Sequence, residues 1–246
     1  EALADACRKA VEEGFDALKI NFITFDDAGG RVGFLRGPIP VQHRKMIERR
    51  AQAVRRAVGD QVDLIVENHA RTDAVSAVEM SRVLEPYGIL FLEEAATPLN
   101  PDVMKVIRSG SRIPLAGGER IFGRWGFLKF FQDDTIQVAQ PDIGTCGGIS
   151  EAKKICDMAH AFDVGVQIHV CGSPISIAAS LHMEASIPNF VIHEHHVINR
   201  SRMNIDLGLY DYAPVNGRIA IPDRPGLGQE LSEKAMKEAL ASCTVK

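Results

Sequence analysis

Six ionisable residues each close a short apolar run, and they recur at nearly constant spacing. Glu67, Glu93, Glu119, Asp142, His169 and Glu194 lie 26, 26, 23, 27 and 25 residues apart. The runs they close are VDLIVE (62–67), ILFLEE (89–94), IPLAGGE (113–119), TIQVAQPD (135–142), VGVQIH (164–169) and NFVIHE (189–194). With ALKINF (17–22) they read as seven strands, being short and rich in Leu and β-branched residues. Helical patterns separate them, among them residues 41–58, 73–87, 148–162 and 173–186. Strand, helix, strand is the order of βα units, so the expected fold class is α/β with a parallel sheet. The spacing approaches the roughly 30 residues per unit of an eight-stranded TIM-type barrel, although a doubly wound sheet also fits.

At 246 residues and 46% apolar content, the chain is long enough to bury one large core. A net charge of −4 without a basic cluster argues against nucleic acid or an anionic membrane surface as partner, and favours a small polar ligand. No apolar run nears the ~18 residues of a membrane span, and the opening EALADACRKAVEEGF is an amphipathic helix pattern, so a soluble protein is expected. Five scattered cysteines (Cys7, Cys146, Cys156, Cys171 and Cys243) lack C-x-x-C spacing, which points to reduced thiols in a cytoplasmic compartment. The basic outer face of 41–58 reads as a solvated helix surface, and the Gly-, Asp- and Pro-rich segment 25–40 as a mobile loop over a pocket. Residues 1–197 form the expected barrel domain. Residues 198–246 form a C-terminal segment with a hairpin at VNGRIAI and a terminal helix.

In a parallel βα array the carboxyl ends of the strands converge on one face, where barrels carry their chemistry. Residues two apart on a strand point the same way, so Glu67 pairs with His69 and Lys19 with Asn21. Glu67, Glu93 and Glu119 on three successive strands would repel unless a cation neutralised them. Oxygen donors without thiolate suit a hard divalent ion, Mg2+ best. Asp142 and His169 on adjacent strands fit either a buried hydrogen bond or an oriented acid/base pair. Consecutive histidines in HEHH (193–196) point in opposite directions and cannot share one ion, and Cys171 reads as packing for want of an activating base. Arg71 and Arg120, just past strand ends, fit substrate binding or surface ion pairs equally.

Taken together and in order, GFDALKIN (14–21), VENHAR (66–71), LEPYGILFLEE (84–94), IPLAGGER (113–120), QPDIGTCGGISEAKKI (140–155), IH before GSPI (168–175) and HE (193–194) resemble the enolase superfamily, in its mandelate racemase subgroup and of the acid-sugar dehydratase type. The resemblance implies a modified (β/α)7β barrel, with an N-terminal capping domain and a first barrel strand that lie outside this sequence. It implies Mg2+ ligands at Glu67, Glu93 and Glu119, a His169–Asp142 dyad, and Glu194 as the acid that hydrogen-bonds the substrate carboxylate or enolate. His69 falls on a second acid/base group and Lys19 on the lysine of the second barrel strand. The chain departs from the family at Glu67, usually Asp, and at Ala95, where EEP is usual. It departs again at Asn21, where racemases carry a second lysine; Asn21 is taken as substrate-binding.

The implied function is dehydration of an acid sugar to a 2-keto-3-deoxy acid by a Mg2+-dependent hydro-lyase, expected as a homo-oligomer. The alternatives are an epimerase or cycloisomerase sharing the same intermediate, and a binding protein on a degenerate barrel.

Overall fold

The computed structural model describes residues 1–239 and 241. Helix and strand alternate as α1 (Ala2–Glu12), β1 (Ala17–Ile20), α2 (Val41–Val58), β2 (Asp63–Glu67), α3 (Ala74–Leu84), β3 (Ile89–Glu93), α4 (Pro101–Gly110), β4 (Leu115–Gly117), α5 (Gly123–Gln132), β5 (Val138–Ala139), α6 (Ile149–Ala161), β6 (Gly165–Val166) and α7 (Pro174–Ala185). The strands form one sheet in the order β1-β2-β3-β4-β5-β6, every pair parallel. Each helix therefore returns the chain to the edge of the strand just laid down, the winding of a TIM-type barrel. Among the described residues the sheet is not closed by hydrogen bonds between its two edges.

Alternation along the strands separates two apolar layers. One face carries Ile65, Phe91, Ala116 and Val138, a small buried cluster of its own. The register places Ile65 beside Phe91 and Ala116 beside Val138. The opposite face carries Leu64, Val66, Leu92, Leu115, Ala139 and Val166, which join Ile47 and Val54 of α2, Met80 of α3, Ile107 of α4, Phe127 of α5 and Ile155 of α6 in the main core. The first face is the barrel interior, and Glu67 and Glu93 share its parity.

Helix starts follow their caps. The Asp73 carboxylate accepts from the Ser76 N–H at the head of α3, and the Ser173 hydroxyl accepts from the Ser176 N–H before Pro174 opens α7.

Several expectations change. The seventh strand is reduced to one parallel bridge between Val166 and Phe190, held by Val166 N–H to the Asn189 carbonyl and Val191 N–H to the Val166 carbonyl, each 2.8 Å. Beyond it the backbone ladder gives way to a side-chain bond, Val170 N–H donating to Glu194 Oε2 at 2.8 Å. The basic face of α2 is not simply solvated. Arg55 reaches the carbonyls of Gly59, Val62, Tyr87 and Gly88 at 2.7–3.1 Å, and Arg50 reaches those of Phe22 and Phe25 at 2.8 and 2.6 Å. Segment 25–40 is anchored: Leu35 bridges Thr72 in parallel, Gly37 N–H donates to Asp73 at 2.7 Å, and Val32, Leu35 and Ile39 are buried. The hairpin forms at Val215 and Arg218 around Asn216 and Gly217, both left-handed as a two-residue turn requires. The expected terminal helix is one short helix over Glu233–Lys237; the rest of the chain to residue 246, with Cys243, lies mostly outside the described residues. Among the described residues no helix is long and apolar enough to cross a membrane.

Candidate active site

Glu67 ends β2 and Glu93 ends β3, and the two are register partners; Glu119 follows two residues after β4. One oxygen from each of the three carboxylates lies within 4.8 Å of the others. Glu67 and Glu93 are buried. Two like charges ~4 Å apart near a protein surface repel by about 4 kcal/mol, so the trio requires positive charge.

Lys19 of β1 supplies some of it. Its Nζ lies 2.8 Å from Glu93 Oε1 and 3.8 Å from Glu67 Oε2, and it also pairs with Glu194. Burial alone would lower the Lys19 ammonium's pKa, but Glu93, Glu194 and Glu67 outweigh it and hold the pKa above its ordinary value. Glu93 stays below the usual carboxylate range despite its burial, because Lys19 and the Gln140 amide, donating at 2.7 Å to Oε2, favour its anion. Burial, reinforced by Glu93, pushes Glu67 well up, and burial with Glu94 pushes Glu119 up. One lysine thus leaves the trio short of positive charge. An all-oxygen set with that deficit fits a hard divalent cation.

Across from the trio, His169 Nδ1 lies 2.8 Å from Asp142 Oδ2, while Asp142 Oδ1 accepts the N–H groups of Gly144 and Thr145 at 2.7 and 3.1 Å. These two N–H groups orient Asp142 Oδ2 toward Nδ1, where it would accept that nitrogen's proton and leave Nε2, 3.2 Å from Glu119 Oε2, as the nitrogen that exchanges one. Burial works against a charged His169, but the Asp142 hydrogen bond, with Glu194 and Glu119, raises its pKa.

His69 stands on another side, its side chain 58% exposed and its Nδ1 3.6 Å from Glu67 Oε1. Strand alternation does not put it there. β2 has ended, and His69 and Ala70 both take left-handed backbone conformations, φ 50° each. Burial lowers the pKa of His69. Asn21 Nδ2 is 3.4 Å from His69 Nδ1, so Asn21 belongs to this wall.

Two arginines are otherwise engaged. Arg71 donates to the Val32 carbonyl and lies 5.8 Å from the Phe34 ring centroid, tying it to the 25–40 segment. Arg120 Nε and Nη2 bind both oxygens of Glu94 at 2.8 and 2.6 Å. Sequence reasoning missed Glu94, Gln140 and Gln167. Gln140 bridges Glu93 and Gln167, at 2.7 and 2.8 Å, and both amides are buried. Each glutamine lies two residues before a dyad member, Asp142 or His169, so the strand period could have found them. Asn68, between Glu67 and His69, turns away from the trio and fastens the loop through Thr72 Oγ1 at 2.7 Å and the Ala95 carbonyl at 3.0 Å.

Residues 2–235 match the family described as Enolase C-terminal domain-like. The chain belongs to that family. Among its relatives is a D-xylonate dehydratase of Haloferax volcanii, 31% identical over 242 residues, covering 96% of this chain and 57% of the relative. A D-galactonate dehydratase of Xanthomonas axonopodis pv. citri is 36% identical over 191 residues, covering 76% of this chain and 50% of the relative. The crystal structure of an enolase superfamily member from Salmonella Typhimurium superimposes with a TM-score of 0.94 at 48% identity, over 96% of this chain and 60% of that one. The chain thus spans half to three fifths of the length of these relatives, and its resemblance to the enolase superfamily is borne out.

Proposed function

We propose that this chain carries the active site of a Mg2+-dependent dehydratase that converts an acid sugar, an aldonate, into a 2-keto-3-deoxy acid through an enediolate. The observation that carries the reading is the convergence of Glu67, Glu93 and Glu119 between two histidines, His69 and His169, one of them oriented by an aspartate. The dehydratase names of two relatives support the reaction class.

A divalent ion held by the three carboxylates would supply fixed positive charge against the substrate carboxylate. His169 Nε2, kept basic by Asp142 on Nδ1, removes the proton on the carbon next to that carboxylate. Lys19, a half-buried ammonium, favours the negative charge that then develops on the substrate oxygens. Glu194, which accepts from Val170 N–H and pairs with Lys19, is the acid assigned to hydrogen-bond the same group. His69 is assigned to protonate the hydroxyl leaving the next carbon, for which it must enter the cycle as imidazolium, against the direction in which burial moves its pKa. One proton and one hydroxyl depart as water, and the enol tautomerises to the 2-keto acid. The free thiols Cys7, Cys146 and Cys156, buried, and Cys171, exposed rather than packed, suit a reducing cytoplasm.

The test is a panel of acid sugars assayed for 2-keto acid by carbonyl derivatisation, with Mg2+ or with chelator, and product mass read in parallel. Loss of 18 mass units with Mg2+ is expected, roughly the mass of the water eliminated. A product of unchanged mass would make the enzyme an isomerase instead. His169→Asn is expected to abolish exchange of the substrate α-proton with D2O; normal exchange would remove His169 from the base role.

A further inference from the structure

Glu94 is a fourth carboxylate beside the trio, 3% exposed in its side chain, yet its oxygens are not among those that cluster. Both bind the Arg120 guanidinium, at 2.8 and 2.6 Å, in the fork geometry that fixes orientation as well as charge. The backbone of Glu94 is equally committed. Its N–H donates to the Ala116 carbonyl of β4 at 3.0 Å, and its carbonyl accepts from Ala70 N–H, just beyond β2, at 2.8 Å. It holds a left-handed conformation, φ 46°, which a glutamate adopts only where its surroundings enforce it. Glu94 follows Glu93 directly and Arg120 follows Glu119 directly, so the ion pair cross-links the chain one residue beyond each of two carboxylates.

We propose that Glu94 and Arg120 are positioning residues for the divalent-ion site, their ion pair fixing the separation of the Glu93 and Glu119 carboxylates while masking a fourth negative charge. The proposal rests on the reading of Glu67, Glu93 and Glu119 as ion ligands. It also gives Arg120 a task other than substrate binding: Nε and Nη2 are spent on Glu94, and Nε lies 3.9 Å from Glu119 Oε1. Charge alone is not enough for this task. A lysine at 120 would keep the charge and lose the two-point grip.

The test is calorimetric titration of Mg2+ into the whole protein as wild type, E94Q, R120K and the double variant E94Q/R120Q, each first checked by circular dichroism and thermal melting. Groups that hold metal ligands in place commonly contribute 10- to 100-fold in affinity. R120K, the variant most certain to fold, and E94Q are each expected to weaken Mg2+ binding about 10-fold or more. The double variant is expected to bind no more weakly than E94Q, because both changes break one linkage. Unchanged Mg2+ affinity in R120K and E94Q would overturn the proposal, whether accompanied by a lower Tm, as for a purely structural pair, or by a raised substrate KM, as for a substrate-binding arginine. Tighter Mg2+ binding by R120K would overturn it too. A wild-type protein that binds no Mg2+ would overturn the ligand reading itself, and so the proposed function, an outcome separable from unchanged binding in the variants.

Discussion

At the scale of single residues, histidines of one chain are driven in opposite directions by their neighbours. Asp142 raises His169, whereas burial, with His193, Arg200 and His196 nearby, lowers His195 to about 4. Among the described residues neither ring nitrogen of His195 has a hydrogen-bond partner. Unfolded, His195 takes up a proton near its ordinary 6.5; folded, it stays neutral until about 4. Acid therefore favours the unfolded chain between those values, and this contribution to stability, intact above 6.5, is lost as pH falls toward 4. Urea unfolding across this range is expected to show a shallower loss of stability for His195→Phe than for wild type; parallel curves would remove His195 from the acid response. The clustered residues were legible because each ends an apolar run at one phase, and that phase survives in the register of Glu67 with Glu93. Glu94 was not. Simple alternation assigns it no place in the site, and nothing in the sequence announces a left-handed glutamate.

At the scale of elements, α2, α6 and α7 fall within a residue of their expected spans, because apolar periodicity and caps act locally, while α3 ends three residues short of 87, its last turn tightening into a 3-10 helix over Glu85–Tyr87. The strands come out shorter than their apolar runs. β5 and β6 are two residues each, since a residue counts as strand only while its backbone finds a ladder partner. Residues 25–40 read correctly as non-repetitive, but no local pattern reveals that Asp73 holds them from another element. One carboxylate caps α3 through Ser76 N–H at 2.9 Å and fastens Gly37 at 2.7 Å. Asp73→Ala is expected to destabilise the fold by about 1–2 kcal/mol in denaturant titration, the usual cost of a lost N-cap. An unchanged midpoint would mean that water replaces both bonds without loss.

For the molecule as a whole, an ion that binds only the folded trio must shift the unfolding equilibrium. At a Mg2+ concentration about 100 times its Kd the expected stabilisation is roughly 2.7 kcal/mol, visible as a rise in Tm that chelator reverses and Glu119→Gln abolishes. A Tm indifferent to Mg2+ would count against the trio as a site.

The strictly sequential strand order has a consequence for how such a chain comes into being. Each new strand finds its sheet partner already made: Ala17 pairs with Asp63, Leu64 with Ile89, Leu92 with Leu115, Ala116 with Val138 and Val138 with Gly165. As the polypeptide leaves the ribosome, each of the six strands meets its ladder partner in the next strand of the chain, and the entropy of closing those loops is met in small instalments. Glu67, Glu93 and Glu119 emerge before His169, so synthesis delivers the anionic pocket ahead of the imidazole placed to work beside it.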